Sequence, residues 1–277
     1  FMSRVIDTFL FGGELDMLEI RLKYLGDVVD NFIIVESDRT FSGKCKPYYL
    51  DDNWERYEQW HDRILYLQIE QDPGEYTFNY VDRYTPTDGA FLMEMDCRNA
   101  LMHADGEIPE DSIVLLSDVD EIWNKSILFD KNILGFKGIP QAPLAIGMDF
   151  YAYYLNNKTV TGPDVSWGGT VMCSGRYWKN NYPQRLRDRR NTLTRYGGGG
   201  WHFSWMNGLA AIQNKIRSFA HTEFNRPHIL DDQAILSAIE NGRDVLQRPG
   251  ISYQLQDMGV FPDDLRSILE QYPHLIK

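Results

Sequence analysis

At 277 residues the chain is long enough to bury a core of its own. Hydrophobic residues at 43% and charged residues at 25% exclude a disordered or fibrous protein. Forty acidic against 28 basic residues, a net charge of −12, repel a phosphate backbone and exclude nucleic acid as a general partner. Such a chain can bind a phosphorylated ligand only through a local cluster of Arg and Lys or through a divalent cation.

No run approaches the roughly 18 to 20 apolar residues that span a bilayer, and the N-terminus has no apolar signal core. Cys45, Cys97 and Cys173 are odd in number and widely spaced, which gives neither a disulfide framework nor a Cys-x-x-Cys metal site and points to reduced thiols in the cytoplasm. Phe1 ahead of Met2 marks an altered start, so a removed N-terminal anchor stays open. Sixteen Tyr and seven Trp supply flat apolar platforms of the kind on which pyranose rings stack, or simply fill the core.

In chain order, Arg4 to Phe11 (RVIDTFLF) reads as a buried strand running into the turn Gly12-Gly13. Leu15, Leu18, Leu22 and Leu25 then mark one stripe of an amphipathic helix, with Glu14, Asp16, Glu19 and Arg21 on its other faces and Gly26 at its end. Asn31 to Val35 (NFIIV) is an unbroken apolar run, as a parallel strand covered on both faces requires. Ile64 to Ile69 gives a third strand, about Asp88 to Ala104 a helix entered through an Asp N-cap, and Ile113 to Leu116 (IVLL) a fourth strand.

Strands alternating with helices predict an α/β fold with a doubly wound, mostly parallel sheet that binds ligands at the carboxyl ends of its strands. Beyond residue 123 the pattern is less regular. Leu144 to Met148 and Phe150 to Leu155 read as strands, Gly168-Gly169 and Gly197 to Gly200 as loops, and about Leu209 to Phe219 and Ile229 to Glu240 as helices. No linker or repeat divides the chain, so a single domain over 1–277 is expected, with a nucleotide-binding half over about 1–123 and an acceptor-binding half over about 124–277.

The strongest local signal is LLSDVDEIW, two carboxylates at i and i+2 where a buried strand opens into a loop. Asp118 and Asp120 can converge there on one hard divalent cation, which prefers carboxylate, water and phosphate oxygens. A solvated acidic loop is the bland alternative. Glu121 extends the cluster, no EF-hand ligand series follows, and Ile122 stands where a phosphatase Asp-x-Asp-x-Thr would continue.

Three ordered blocks, LFGGELDMLEIRLKYLGDVVDNFIIVESDRTFSGKCKP, SDVDEI and GGWHFSW, make the chain similar to glycosyltransferase family 17 over about residues 5 to 240. The resemblance implies a GT-A fold with a Rossmann-like sheet, a nucleotide-activated donor, an inverting transfer and a requirement for Mn²⁺ or Mg²⁺. It carries over Asp118 and Asp120 as the metal and diphosphate site. It does not carry over the acceptor, and Phe203 and Met206 stand where the animal members are rich in cysteine.

Other candidates follow from position. Glu36 and Ser37 lie beyond the second strand, where such folds receive a base or ribose; Arg98 and Asn99 lie on the helix before the acidic strand, within reach of a nucleotide or its diphosphate. Trp201, in the block Trp201-His202-Phe203-Ser204-Trp205 after four glycines, would close over the donor, and His202, with His221 as runner-up, would complete the metal shell. Arg185, Arg187, Arg189 and Arg190 form a basic cluster suited to a leaving diphosphate or an acidic acceptor, and equally to a solvated loop. Trp167-Gly168-Gly169 would touch donor sugar or acceptor. An inverting transfer needs a carboxylate base, for which Asp232 and Glu223 are the two candidates.

The expected reaction moves a hexose such as N-acetylglucosamine from a UDP-sugar to a saccharide or other hydroxyl acceptor. A nucleotide-sugar hydrolase or nucleotidyltransferase, or a non-catalytic glycan-binding module, are the rival readings.

Overall fold

The computed structural model describes residues 3–79, 82–135 and 138–277; Phe1 and Met2, read above as an altered start, lie outside them. Apolar, β-branched hexapeptides build the first strands, because such side chains pack well on a pleat buried on both faces. These are β1 (Val5–Leu10), β2 (Asn31–Ser37), β3 (Ile64–Ile69) and β4 (Ile113–Asp118). They run parallel in the order β3-β2-β1-β4.

Beyond β4 the sheet continues through the rest of the chain: β5 (Glu121–Trp123), β6 (Leu144–Ala152), β7 (Asn157–Thr161), β8 (Trp167–Ser174), β9 (Arg195–Tyr196), β10 (Gly200–Ser204) and β11 (Ser252–Leu255). β8 lies antiparallel between β4 and β6, and β7 and β11 extend the same edge antiparallel. The Rossmann-like parallel order therefore belongs to the first half, and the second half is mostly hairpin-like. β10 is parallel to β6 and antiparallel to β5, which brings His202 level with Glu121.

Two details differ from the sequence reading. Leu144 to Ala152 is one strand, with an irregularity between Ala145 and Gly147 where two were expected. Gly168 and Gly169 lie inside β8 and not in a loop. A Cβ on Gly169 would stand 2.8 Å from Met148 Sδ and 3.2 Å from the Glu121 carboxyl carbon, so the missing side chain allows two neighbours to approach the backbone.

The sheet separates two main cores. One face meets the helices Leu15–Leu25 and Asp263–Leu269 through Phe9, Leu18, Leu22, Leu115, Phe203 and Leu265. The other packs Ile6, Ile33, Val114 and Leu116 under Cys97, Leu101, Trp178 and Leu186. Asp88 starts the helix Gly89–Asn99 as the expected N-cap, accepting from the Ala90 amide. A third cluster, with Phe150, Trp205, Ile212, Ile216 and Ile235, seats the helices Gly208–Ser218 and Asp232–Glu240 on the far end of β6. The carboxyl end of β4 consequently faces elements from both halves of the chain.

Candidate active site

The acidic turn rests on a buried ion pair. Asp7 lies in mid-strand on β1, and the guanidinium of Arg21 meets it with two bonds of 2.7 Å, both side chains fully buried. Arg21 was expected on a polar helix face; instead it turns inward. It donates to Ser117 Oγ at 2.5 Å and to the carbonyls of Asp118, Val119 and Glu121 at 3.1, 3.3 and 2.7 Å. Three carbonyls of one tight turn thus converge on a single planar cation, which fixes where the carboxylates at 118, 120 and 121 begin.

Asp118 is held from two sides. Arg98 Nη1 donates to its Oδ1 and Arg187 Nη2 to its Oδ2, each at 2.7 Å. Burial would raise its carboxyl pKa, but Arg187 and then Arg98 outweigh burial and hold it well below the usual carboxylate range. Glu121 is more enclosed still: it accepts from Arg187 at 2.6 and 2.7 Å, from Trp167 Nε1 at 2.7 Å and from the Asp118 amide at 3.0 Å. Arg187 also reaches the Gly169 carbonyl at 2.6 Å. One member of the sequence's basic cluster is therefore a buried strut.

Asp120 faces a different neighbourhood. Its Oδ2 accepts from Lys215 Nζ at 2.9 Å, and its Oδ1 lies 3.3 Å from His202 Nε2. Against the effect of burial, Lys215 and then His202 hold its carboxyl well below the usual range. Burial alone would lower the Lys215 pKa, yet Asp120, Glu14 and Asp118 raise it. Lys215 Nζ also meets Ser204 Oγ at 3.3 Å and lies over the Trp205 ring. Strand alternation on β10 explains the division of roles: Trp201 and Phe203 point into the core, while His202 and Ser204 point to the acidic turn. His202 packs between Phe150 and Trp167, with ring centroids at 4.6 and 4.8 Å, and its buried Nδ1 has no partner among the described residues.

Some sequence candidates lie apart from this centre. Glu36 is fully buried and accepts from Lys46, Tyr49 N, Leu50 N and Tyr66 OH at 2.6 to 3.0 Å. Those four donors leave its carboxylate no free lone pair for a ribose, so its observed work is to anchor the turn at Tyr49. Ser37 Oγ accepts from the Arg39 amide, and Asn99 Oδ1 from the Gln184 amide. Trp201 is a core residue, edge-on to Tyr24 at 5.8 Å. Asp232 is exposed and bonded to Gln213, whereas Glu223 is bonded to His221. Of the remaining basic cluster, Arg189 reaches Tyr177 OH and Arg190 lies over Trp167, 5.9 Å from its centroid. Burial and then the charge of Arg187 lower the Arg190 pKa.

The donor set can be tested against a divalent cation. Among the described residues no three His, Cys, Asp or Glu side chains converge on one point, and both Asp118 oxygens are committed to arginines. Asp120 does fit: its carboxylate is the oxygen donor that Mg²⁺ or Mn²⁺ takes beside water and phosphate oxygens, and the His202 imidazole nitrogen 3.3 Å away is a softer second donor.

The sequence model of glycosyltransferase family 17 matches residues 1–261. The chain belongs to glycosyltransferase family 17. Its curated relatives include the β-1,4-mannosyl-glycoprotein 4-β-N-acetylglucosaminyltransferases of Rattus norvegicus, 25% identical over 256 residues, and of Homo sapiens, 25% identical over 254. The matches cover 86% and 85% of this chain, and the chain spans about half, 47%, of each relative's length.

Among solved structures, the family 17 chain is similar to 4-diphosphocytidyl-2C-methyl-D-erythritol synthase, at 8% identity, 71% and 90% coverage of the two chains and a TM-score of 0.34. It is also similar to the apo form of the glycosyltransferase GlyE of Streptococcus pneumoniae TIGR4, at 11% identity, 71% and 45% coverage and a TM-score of 0.31. No helix among the described residues of this family 17 chain is long and apolar enough to cross a membrane.

Proposed function

We propose that this chain is a metal-dependent, inverting glycosyltransferase that moves a hexose, with N-acetylglucosamine first in order, from a UDP-sugar to a saccharide hydroxyl. Family membership supports glycosyl transfer, and the activity for which the relatives are named suggests the sugar and a mannose-containing acceptor. The single observation that carries the metal and donor reading is the charge balance at the end of β4. Asp7, Glu94, Asp118, Asp120 and Glu121 are met there by Arg21, Arg98, Arg187 and Lys215, and Glu14 adds a further carboxyl beside Lys215. A bound diphosphate would add negative charge that the protein's own cations do not neutralise, and a divalent cation would.

Asp120 and His202 would hold that cation, which when bound supplies positive charge to the diphosphate as the sugar departs. Lys215, on the other oxygen of the same carboxylate, would stand beside the diphosphate as a further donor. Arg190, half-buried and offset from any carboxylate partner within salt-bridge distance among the described residues, is the second cation placed for the leaving group. Arg98 and Arg187 instead keep Asp118 and the turn in place. An acceptor hydroxyl attacks the anomeric carbon from the face opposite the diphosphate, and a single displacement inverts that centre.

Nucleotide release from a panel of UDP- and GDP-sugars, with Mn²⁺, Mg²⁺ or chelator, tests the donor and the metal together. His202→Ala is expected to lower metal-dependent release by roughly 100-fold, the scale of losing a preorganised electrostatic group. Equal release in this variant would remove His202 from the metal site.

A further inference from the structure

The helix Gly89–Asn99 carries Phe91, Glu94 and Arg98 at spacings of three and four, hence on one face. Arg98 reaches Asp118, and seven residues away, about 10 Å along the axis, the Phe91 ring meets His221 edge-on at 5.0 Å. On the opposite side, the helix Gly208–Ser218 sends Lys215 to Asp120 and leads within three residues to His221. The two elements that grip the acidic pair therefore also flank this histidine.

His221 is held by a carboxylate. Its Nδ1 lies 2.8 Å from Glu223 Oε1; the glutamate side chain is 9% exposed and the imidazole 45% exposed. No described residue hydrogen-bonds its Nε2. Tyr84, Phe91, Phe219 and Phe224 surround the ring at 5.0 to 6.2 Å, and Tyr84 is 58% exposed. A core histidine would be covered. Here an open imidazole is fixed by an enclosed carboxylate, beside aromatic faces suited to the C–H face of a pyranose.

We infer that His221, oriented by Glu223, is the catalytic base of the acceptor subsite, and that the surrounding rings seat a saccharide acceptor. The inference rests on the glycosyltransferase reading. His221 Nε2 takes the proton of the acceptor hydroxyl as that oxygen bonds to the anomeric carbon. The bond from that carbon to the diphosphate breaks, its electron pair leaves with the nucleotide, and Glu223 stabilises the imidazolium. Glu223, a candidate base by sequence, becomes a positioning residue.

The test uses UDP-N-acetylglucosamine with a panel of β-mannoside acceptors, measuring transfer and, by calorimetry, donor binding. His221→Gln is expected to lower kcat by about 100-fold or more with donor affinity within about two-fold, because it removes only the base. Added imidazole should restore turnover to His221→Gly, a rescue that loss of folding would not permit. Glu223→Gln should lower kcat with an unchanged donor KM, and Glu223→Asp should recover part of it. Wild-type-like transfer by His221→Gln overturns the dyad alone. Wild-type protein that binds and cleaves no nucleotide sugar overturns the donor reading and the dyad with it.

Discussion

Asp7 and Arg21 set the position of a turn more than ninety residues further along the chain. An isolated charge in the interior costs several kcal/mol, and pairing with well-made hydrogen bonds removes most of that cost. Arg21→Ala leaves Asp7 buried without its partner and three carbonyls without their donor, so a loss of about 3–5 kcal/mol is expected, read from urea unfolding. A second residue-scale outcome concerns pH. Asp118 and Asp120 sit below the ordinary Asp value of about 3.9, so the stability they contribute is present above about pH 4 and is lost as pH falls through their folded values. Asp118→Asn should accordingly flatten the fall in urea midpoint on acidification relative to wild type, leaving the slope above pH 5 unchanged. The thiols of Cys97 and Cys173, both pushed up to about 12 by burial, should resist alkylation that the exposed Cys45 accepts.

Strands whose apolar character is local were legible in the sequence. Ile64–Ile69 matches residue for residue, and β1, β2 and β4 differ from the expected bounds by one or two residues, because each needs only six or seven residues of local pattern. The acidic turn was legible for the same reason. Tertiary pairing was not: the Arg21 pattern looked polar, although 18, 21 and 25 share one helical stripe, and an acid inside VIDTFL demands a buried partner. Those two signals together would have found the pair. Gly168-Gly169 and Gly200 were misread as loop because glycine permits close contacts inside a strand as well as bends, whereas Gly197 to Gly199 do form the expected loop. A Cβ on Gly200 would lie 2.5 Å from the Ile122 carbonyl oxygen, and one on Gly169 2.8 Å from Met148 Sδ. Gly200→Ala should therefore cost about 1–3 kcal/mol by overpacking and shift His202, lowering both melting temperature and transfer. Glu36 was singled out by its strand-end position and Trp201 by the glycine run before its aromatic block, yet neither signal revealed that one is saturated by four donors and the other faces the core.

Across the whole molecule, the centre is assembled from distant segments: Asp7 and Arg21 from the start, Arg98 and the acidic turn from the middle, Arg187, His202 and Lys215 from the second half. The antiparallel half of the sheet matters for this reason. β8 delivers Trp167 and Gly169 against Glu121, and β10 sets His202 beside Asp120. Arg187→Ala, which removes one partner each from Asp118 and Glu121, is expected to loosen the acidic turn and to lower donor affinity by an order of magnitude or more, checked by calorimetry. The most direct test of the central claim is metal-dependent UDP release by wild type and Asp120→Asn. Release is expected from one UDP-sugar, abolished by chelator and lowered roughly 100-fold by Asp120→Asn. Release indifferent to chelator and to Asp120→Asn would contradict that claim.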